Sequence, residues 1–306
     1  MTADEDPHPP RRITPFGPAK FAAQVSGFPL TDAAIVALVQ AALDEDVAGH
    51  DITTVATVLA RHRSRAKLVA RAPGVVCGVP LALAAFRLVD LEVSIRVDAE
   101  DGTVVRPGSD ILFLSGRARG LLTAERTALN FLQRLSGIAT LTQQYVHAIA
   151  GTAAKIVDTR KTTPGWRALE KYAVRCGGGT NHRFNLADAV LIKDNHIAAV
   201  GGDIAETIRR VRAYAPPESA VQVECDSVAQ VRAAVAAHAE SVLLDNMEPA
   251  QLRECVAIAR GQSVTEASGG VTLGTVRAIA ETGVDRISVG ALTHSAPALN
   301  LALDFE

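Results

Sequence analysis

Residues 221–246 read VQVECDSVAQVRAAVAAHAESVLLDN, and this stretch decides the fold. Residues 221–224 form a short apolar run closed by an acid, 227–237 space their apolar side chains with a helical period, and 241–244 form a second apolar run followed by Asp245-Asn246. A strand, a helix and a second strand at this spacing predict parallel pairing through a right-handed crossover. The rhythm repeats outward. Further strands are expected at 155–158, 189–192, 263–266 and 286–289, with helices at 167–175, 203–214, 249–260 and 273–281. So many units in series favour a closed or nearly closed α/β barrel, with a doubly wound open sheet as the alternative.

Before residue 150 the pattern differs. Thr31-Asp32 provides an N-cap for Ala33, Ile35, Val36, Leu38, Val39 and Leu43, which recur with helical spacing. From 66 to 113 the chain has short β-rich runs at 66–70, 91–97 and 110–114, turn signals at Asp101-Gly102 and Pro107-Gly108, and a helix near 80–89. An amphipathic stretch follows at 123–149. Ser136-Gly137 is expected to break it into two helices bridging to the barrel. Residues 1–30 hold six of the fourteen prolines and little periodicity, so they are expected to be a flexible Pro-rich arm outside the fold.

Composition narrows the function. The 306 residues are 48% hydrophobic and 21% charged, enough for buried cores. The net charge of −2 is not that of a phosphate-backbone binder, so no nucleic acid partner is expected. No apolar run approaches the roughly 20 residues of a membrane span, and the acidic, proline-containing start is unlike a signal peptide. A cytoplasmic, membrane-free protein is expected. Cys77, Cys176, Cys225 and Cys255 lack C-x-x-C or zinc spacing and read as free thiols. The phosphate loop, the dinucleotide glycine motif, the zinc-protease helix and the serine-hydrolase elbow are all absent.

Polar residues gather where the strands end. After the successive strands come Thr159-Arg160-Lys161-Thr162, Lys193-Asp194-Asn195-His196, Glu224, Asp245-Asn246, Ser268-Gly269-Gly270 and Gly290-Ala291. Any one of these is ordinary for a solvent-exposed loop; six of them on the carboxyl edge of one sheet share one mouth. Between 155 and 194 eight Lys/Arg face four acids, a local +4 suited to trapping anions. Glycine turns ahead of helices offer backbone N–H groups to phosphate. Two separate carboxylates, Glu224 and Asp245, suit hydrated Mg²⁺ and ribose hydroxyls better than a metal cage. Arg167, Lys171 and Arg175 recur every four residues, so Arg167 and Lys171 are expected on a solvated or salt-bridged helix face, with Arg175 left open. His182, following three glycines, stands evenly between ligand contact and structural residue, while His196 and His294 weigh toward structure. Trp166 and Phe184 could stack on an aromatic ligand, though such residues are more often used in packing.

The order of these motifs carries a resemblance. Leu43-Asp44-Glu45-Asp46, Gly49-His50-Asp51-Ile52-Thr53-Thr54, Thr123-Ala124-Glu125-Arg126, Leu135-Ser136-Gly137-Ile138, Asp158-Thr159-Arg160-Lys161-Thr162-Thr163-Pro164-Gly165, Asn181-His182-Arg183, Lys193-Asp194-Asn195-His196, Leu244-Asp245-Asn246, Glu266-Ala267-Ser268-Gly269-Gly270 and Val289-Gly290-Ala291 resemble, over 31–306, the quinolinate phosphoribosyltransferase family. The resemblance implies an incomplete, seven-stranded α/β barrel at 138–291 and an N-terminal α/β sandwich domain at 31–137, completed by 292–306. The strand missing from the six above is expected from Ile138 onward. It implies transfer of phosphoribosyl from 5-phosphoribosyl-1-pyrophosphate to quinolinate with Mg²⁺, giving nicotinate mononucleotide, pyrophosphate and CO2 for NAD biosynthesis. A homodimer with sites shared between subunits is implied, or a higher oligomer built from it.

Residue by residue, Arg126 is similar to the arginine that reaches quinolinate from the partner subunit. Arg160, His182 and Arg183 resemble the remaining quinolinate contacts, with Thr159 beside them and Lys193 near both substrates. Lys161 resembles the pyrophosphate ligand. Glu224 and Asp245 resemble the carboxylates for ribose and Mg²⁺, in part through water. Ser268, Gly269, Gly270, Gly290 and Ala291 resemble the 5-phosphate cradle. Trp166, Asn185 and Cys225 depart from the usual family wording. Two rivals remain, a paralogue acting on another acceptor such as nicotinate and a phosphosugar-binding protein without turnover. Arg126, Arg160 and Arg183 together favour a dicarboxylate, and Lys161, Glu224 and Asp245 favour turnover.

Overall fold

The structure, a computed structural model, describes Phe21 and residues 27–306. Of the expected arm, residues 1–20 and 22–26 lie outside the described residues. Phe21 itself corrects that expectation: it is buried, its N–H donates to Asp32 Oδ1 at 2.8 Å, and the Arg87 guanidinium sits 5.8 Å from its ring centroid. Among the described residues, those up to Thr140 together with Pro297–Glu306 form one compact unit, and Leu141–Ala296 form a second.

In the first unit, helices α1 (Asp32–Glu45), α2 (Ile52–Thr57) and α3 (Val79–Val89) accompany strands β1 (Arg63–Ala70), β2 (Gly74–Val75), β3 (Ser94–Val97), β4 (Val104–Val105) and β5 (Asp110–Arg117). The Thr31 hydroxyl caps α1 by accepting from Ala34 N–H. Leu68, Leu112 and Leu114 are buried where β1 and β5 pair antiparallel, each contributing about 1.5–3 kcal/mol of burial. The C-terminal strand β12 (Leu301–Phe305) pairs with the other edge of β1, giving the sheet order β12-β1-β5-β3.

Helix α4 (Ala118–Ala148) is unbroken, against the expected interruption at Ser136-Gly137. Both residues serve packing. Ser136 Oγ accepts from Cys77 N–H at 2.9 Å, and a side chain on Gly137 would place its Cβ 2.1 Å from the Pro297 carbonyl oxygen. The continuous helix also removes the strand expected from Ile138 onward.

The second unit carries β6 (Lys155–Val157), α5 (Arg167–Cys176), β7 (Val190–Ile192), α6 (Asp194–Ala199), α7 (Ile204–Tyr214), β8 (Val221–Cys225), α8 (Val228–Ala236), β9 (Ser241–Asp245), α9 (Pro249–Ala259), β10 (Val264–Ser268), α10 (Val276–Ala280), β11 (Arg286–Ser288) and α11 (Ala291–His294). The six strands pair in parallel in the order β6-β11-β10-β9-β8-β7. Val221, Val223, Val242 and Leu244 are fully buried, as parallel strands covered on both faces require. A seventh strand is reduced to one parallel bridge between Val157 and Thr180. The preceding glycines limit it: Gly178 has φ +85°, and a Cβ on Gly179 would meet Val174 and Thr142 side chains under 3 Å.

Candidate active site

The carboxyl ends of β6 to β10 open onto a cavity of about 620 Å³ in the second unit. Thr159, Arg160, Lys161, His182, Arg183, Lys193, Glu224, Asp245, Ser268, Gly269 and Gly270 all line it, so eleven of the expected site residues converge. Gly290 lies behind it, where a Cβ would come within 3.1 Å of Lys161 Cδ and 3.2 Å of His294 Nε2. Ala291 follows as the first residue of α11. Arg126 belongs to the first unit, exposed on α4. That unit has a larger cleft, about 890 Å³, but its Arg117 is held by Asp90 and Glu92 and its Arg119 by the Val55 and Val58 carbonyls. The convergent cations are in the smaller cavity.

Local structure fixes each group. Lys161 N–H donates to Thr159 Oγ1 at 3.0 Å, and the Lys161 carbonyl accepts from the Thr293 hydroxyl at 2.7 Å, so the Thr159-Arg160-Lys161 turn is anchored at both ends. Lys193 follows β7 and donates from Nζ to Glu224 Oε2 at 2.6 Å. Immediately after it, Lys193 N–H donates to His196 Nδ1, starting α6; this is the structural role of His196. Asn246, with φ +54°, donates from Nδ2 to Asp245 Oδ2 at 2.8 Å. Its own N–H donates to the Ser268 carbonyl, so β9 and β10 end in register at the site. The glycine turn there does not lead directly into a helix as expected, because Thr272–Thr275 form a hydrogen-bonded turn before α10.

Only some of the charges lining the cavity are paired with each other. Arg160 Nε is buried without a hydrogen-bond partner. Arg183 donates from Nη1 to the Ala189 carbonyl, and burial together with neighbouring Arg160 pulls its pKa below the ordinary guanidinium value. Two neighbouring arginines, neither in an ion pair among the described residues, suit a compact dianion.

Sequence reasoning missed the polar layer beneath. Glu266 is fully buried in the middle of β10, and its Oε2 accepts from Gln222 Nε2 at 3.0 Å. His182 Nε2 lies 3.1 Å from Gln222 Oε1 and 3.3 Å from Glu266 Oε2, while Nδ1 accepts from Arg183 N–H at 2.7 Å. The accepting Nδ1 puts the proton of a neutral ring on Nε2. Burial pushes the Glu266 carboxyl up, but the hydrogen bonds and the nearby imidazole outweigh it and leave it below its ordinary value. An acid inside an otherwise buried strand was the available signal. Lys171 is also misplaced by its helical spacing; it is buried against Asp158 rather than solvated. Of the departures, Cys225 points into the core with its thiol pushed up to about 12 by burial, Trp166 caps the start of α5, and Asn185 Oδ1 accepts from Ala187 N–H in an exposed turn.

The geometry meets its relatives here. Residues 138–304 match the family described as quinolinate phosphoribosyl transferase, C-terminal domain, and residues 51–136 match its N-terminal domain. The chain belongs to the quinolinate phosphoribosyltransferase family. It is 48% identical over 274 residues to the nicotinate-nucleotide pyrophosphorylase [carboxylating] of Mycobacterium leprae, covering 87% of this chain and 95% of that protein. The probable enzyme of the same name from Bacillus subtilis is 42% identical over 260 residues, covering 85% and 89%. The solved nicotinate-nucleotide pyrophosphorylase of Francisella tularensis superposes with a TM-score of 0.85 at 39% identity, covering 91% of this chain and 99% of that one. Among the described residues no helix is long and apolar enough to cross a membrane.

Proposed function

We propose the following division of labour for the reaction of this family. The enzyme transfers phosphoribosyl from 5-phosphoribosyl-1-pyrophosphate to the ring nitrogen of quinolinate and releases pyrophosphate, CO2 and nicotinate mononucleotide for NAD biosynthesis. Arg160 and Arg183 hold the two carboxylates of quinolinate, and the observation that carries this is their juxtaposition in the cavity, with neither in an ion pair among the described residues. His182 shares this end of the cavity; its ring reaches quinolinate by exchanging one of its protein hydrogen bonds. Lys161, anchored by Thr159 and Thr293, takes the pyrophosphate, and Ser268, Gly269, Gly270, Gly290 and Ala291 hold the 5-phosphate.

Lys193 reaches both substrates, and its ion pair with Glu224 places a cation and an anion side by side at the ribose. As pyrophosphate leaves, the anomeric carbon gains positive charge, which Glu224 and Asp245 stabilise. The ring nitrogen is already a nucleophile, so the protein contributes alignment more than bond-making groups. Once ribosylated, the ring is cationic and accepts the electron pair left by the adjacent carboxylate, so decarboxylation follows transfer.

The donor set fits Mg²⁺. Two carboxylates on adjacent strands, with no cluster of three metal-ligating side chains among the described residues, suit an ion that retains waters and binds substrate oxygens. Glu224 and Asp245 would hold it, partly through water, and when bound it neutralises charge on the departing pyrophosphate.

The active unit is a homodimer in which Arg126 of the partner subunit reaches the quinolinate carboxylates. Support comes from the exposure of Arg126 and from Ile52, Val55 and Leu59, which expose 81%, 55% and 68% of their surface on one stretch of the first unit. A cytoplasmic location fits four cysteines that are all free thiols. The test is incubation with quinolinate, 5-phosphoribosyl-1-pyrophosphate and Mg²⁺ while following nicotinate mononucleotide and CO2 together. Equimolar products from quinolinate are expected; turnover of nicotinate without CO2 would overturn the acceptor assignment.

A further inference from the structure

Lys171 and Asp158 form an ion pair that is 2% and 0% exposed. Burying two charges costs several kcal/mol per ion, so such a pair is weak at stabilising a fold and its presence calls for another reason. The hydrogen bonds around it supply one. Asp158 Oδ1 accepts from Lys171 Nζ at 2.5 Å and from His182 N–H at 2.8 Å, and Oδ2 accepts from Asn181 Nδ2 at 2.6 Å. Lys171 Nζ also donates to the His182 carbonyl at 3.0 Å, and Asn181 Nδ2 donates to the Lys171 carbonyl at 2.8 Å. Both peptide groups flanking the His182 Cα are therefore held by one buried pair.

Asp158 immediately precedes Thr159-Arg160, and the tethered backbone leads directly into Arg183. The pair thus joins the two segments that carry Arg160 and Arg183. Those arginines repel each other, and with neither in an ion pair among the described residues the repulsion tends to splay the segments before substrate arrives. We propose that Lys171 and Asp158 are positioning residues for the acceptor half of the site, holding Arg160 and Arg183 at the separation a dicarboxylate requires. The pyrophosphate half depends on them less, because Lys161 has its own anchors in Thr159 and Thr293. Preorganisation of this kind appears as substrate affinity.

The inference rests on the assignment of Arg160 and Arg183 to quinolinate. The test compares Lys171→Met, Asp158→Asn, the double variant and Asn181→Ala with Arg160→Ala, all as the full chain with Mg²⁺. Lys171→Met leaves an unpaired buried carboxylate and is the variant most prone to unfold; the double variant removes both charges, and Asn181→Ala removes one leg of the clamp while keeping the pair. The double variant is expected to raise KM for quinolinate at least tenfold, and Asn181→Ala at least threefold, with KM for 5-phosphoribosyl-1-pyrophosphate within twofold of wild type. Calorimetric titration with quinolinate alone should weaken by the same factors. Wild-type quinolinate affinity in whichever of these two variants folds, or an equal rise in KM for both substrates, overturns the proposal. Unchanged quinolinate affinity in Arg160→Ala overturns the assignment and the proposal with it, whereas loss there with wild-type affinity in the clamp variants overturns the positioning role alone.

Discussion

Lys193 Nζ and Glu224 Oε2 stand 2.6 Å apart across the ends of neighbouring strands β7 and β8. The lysine is half exposed, so the pair contributes at most about 1 kcal/mol to stability. In the proposed division of labour its value is chemical, because a cation for the substrates and a carboxylate for the ribose are aligned in advance. Lys193→Met and Glu224→Gln should each lower kcat/KM on the order of 100-fold, the size of removing one preorganised charge-stabilising group. Unfolding in urea should shift little. Activity loss accompanied by an equally large loss of stability would make the pair structural.

Gly269 has φ +93°, and a Cβ there would sit 2.2 Å from Asn246 Oδ1 and 2.9 Å from Asn246 N. Asn246 is the residue that donates to Asp245. Gly269→Ala therefore strains the turn by about 1–3 kcal/mol and displaces the carboxylate's neighbour. KM for 5-phosphoribosyl-1-pyrophosphate should rise roughly 10- to 100-fold, with little change for quinolinate. Gly270→Ala meets nothing within 4 Å and should be milder, despite its φ of +58°. Equal kinetics for the two variants would count against the crowding at Asn246.

What could be read from the chain follows from where the information lies. The strands of the second unit announce themselves because a strand covered on both faces is a plain apolar run, and the cavity residues because each stands directly after such a run. The first-unit contacts of Ser136 and Gly137 involve Cys77 and Pro297, far away in sequence, so a Ser-Gly pair looked like a helix break when it is a close-packing point. Lys171 shows the same limit. Its spacing with Arg167 and Arg175 describes a helix face, but which face turns inward is decided by Asp158 at the end of β6. Helix α6 escaped notice because its start depends on His196 accepting from the Lys193 N–H, in a stretch whose polar residues read as loop.

Asp51 caps α2 by accepting from Thr54 N–H at 2.9 Å and also accepts from the Thr123 hydroxyl at 2.9 Å. Hydrogen bonds from Thr54, joined by that from Thr123, favour the charged form and outweigh partial burial, so its carboxyl lies below the ordinary value of 3.8. A depressed folded-state value means the contribution is fully present above that ordinary value and is lost as pH falls through the lower one. Asp51→Ala should cost about 1 kcal/mol of unfolding free energy at pH 7. The difference between variant and wild type should shrink in denaturant melts near pH 3. A cost independent of pH would mean that packing, not the charged cap, is what alanine removes.

The proposed shared-site dimer makes a prediction that no single-subunit site would. In that arrangement Arg126→Ala and Lys161→Ala damage opposite contributions to one composite site, so each homodimer should be nearly inactive. When the two are mixed and allowed to exchange subunits, a heterodimer has one site built from two intact halves and one carrying both lesions. Random exchange makes half the dimers mixed, and mixing should restore about a quarter of wild-type specific activity. Native mass spectrometry can count the heterodimers independently of activity. Abundant heterodimers without recovered turnover would place Arg126 in the same subunit's site or outside the reaction altogether, whereas recovery in proportion to their abundance fixes its action across the interface.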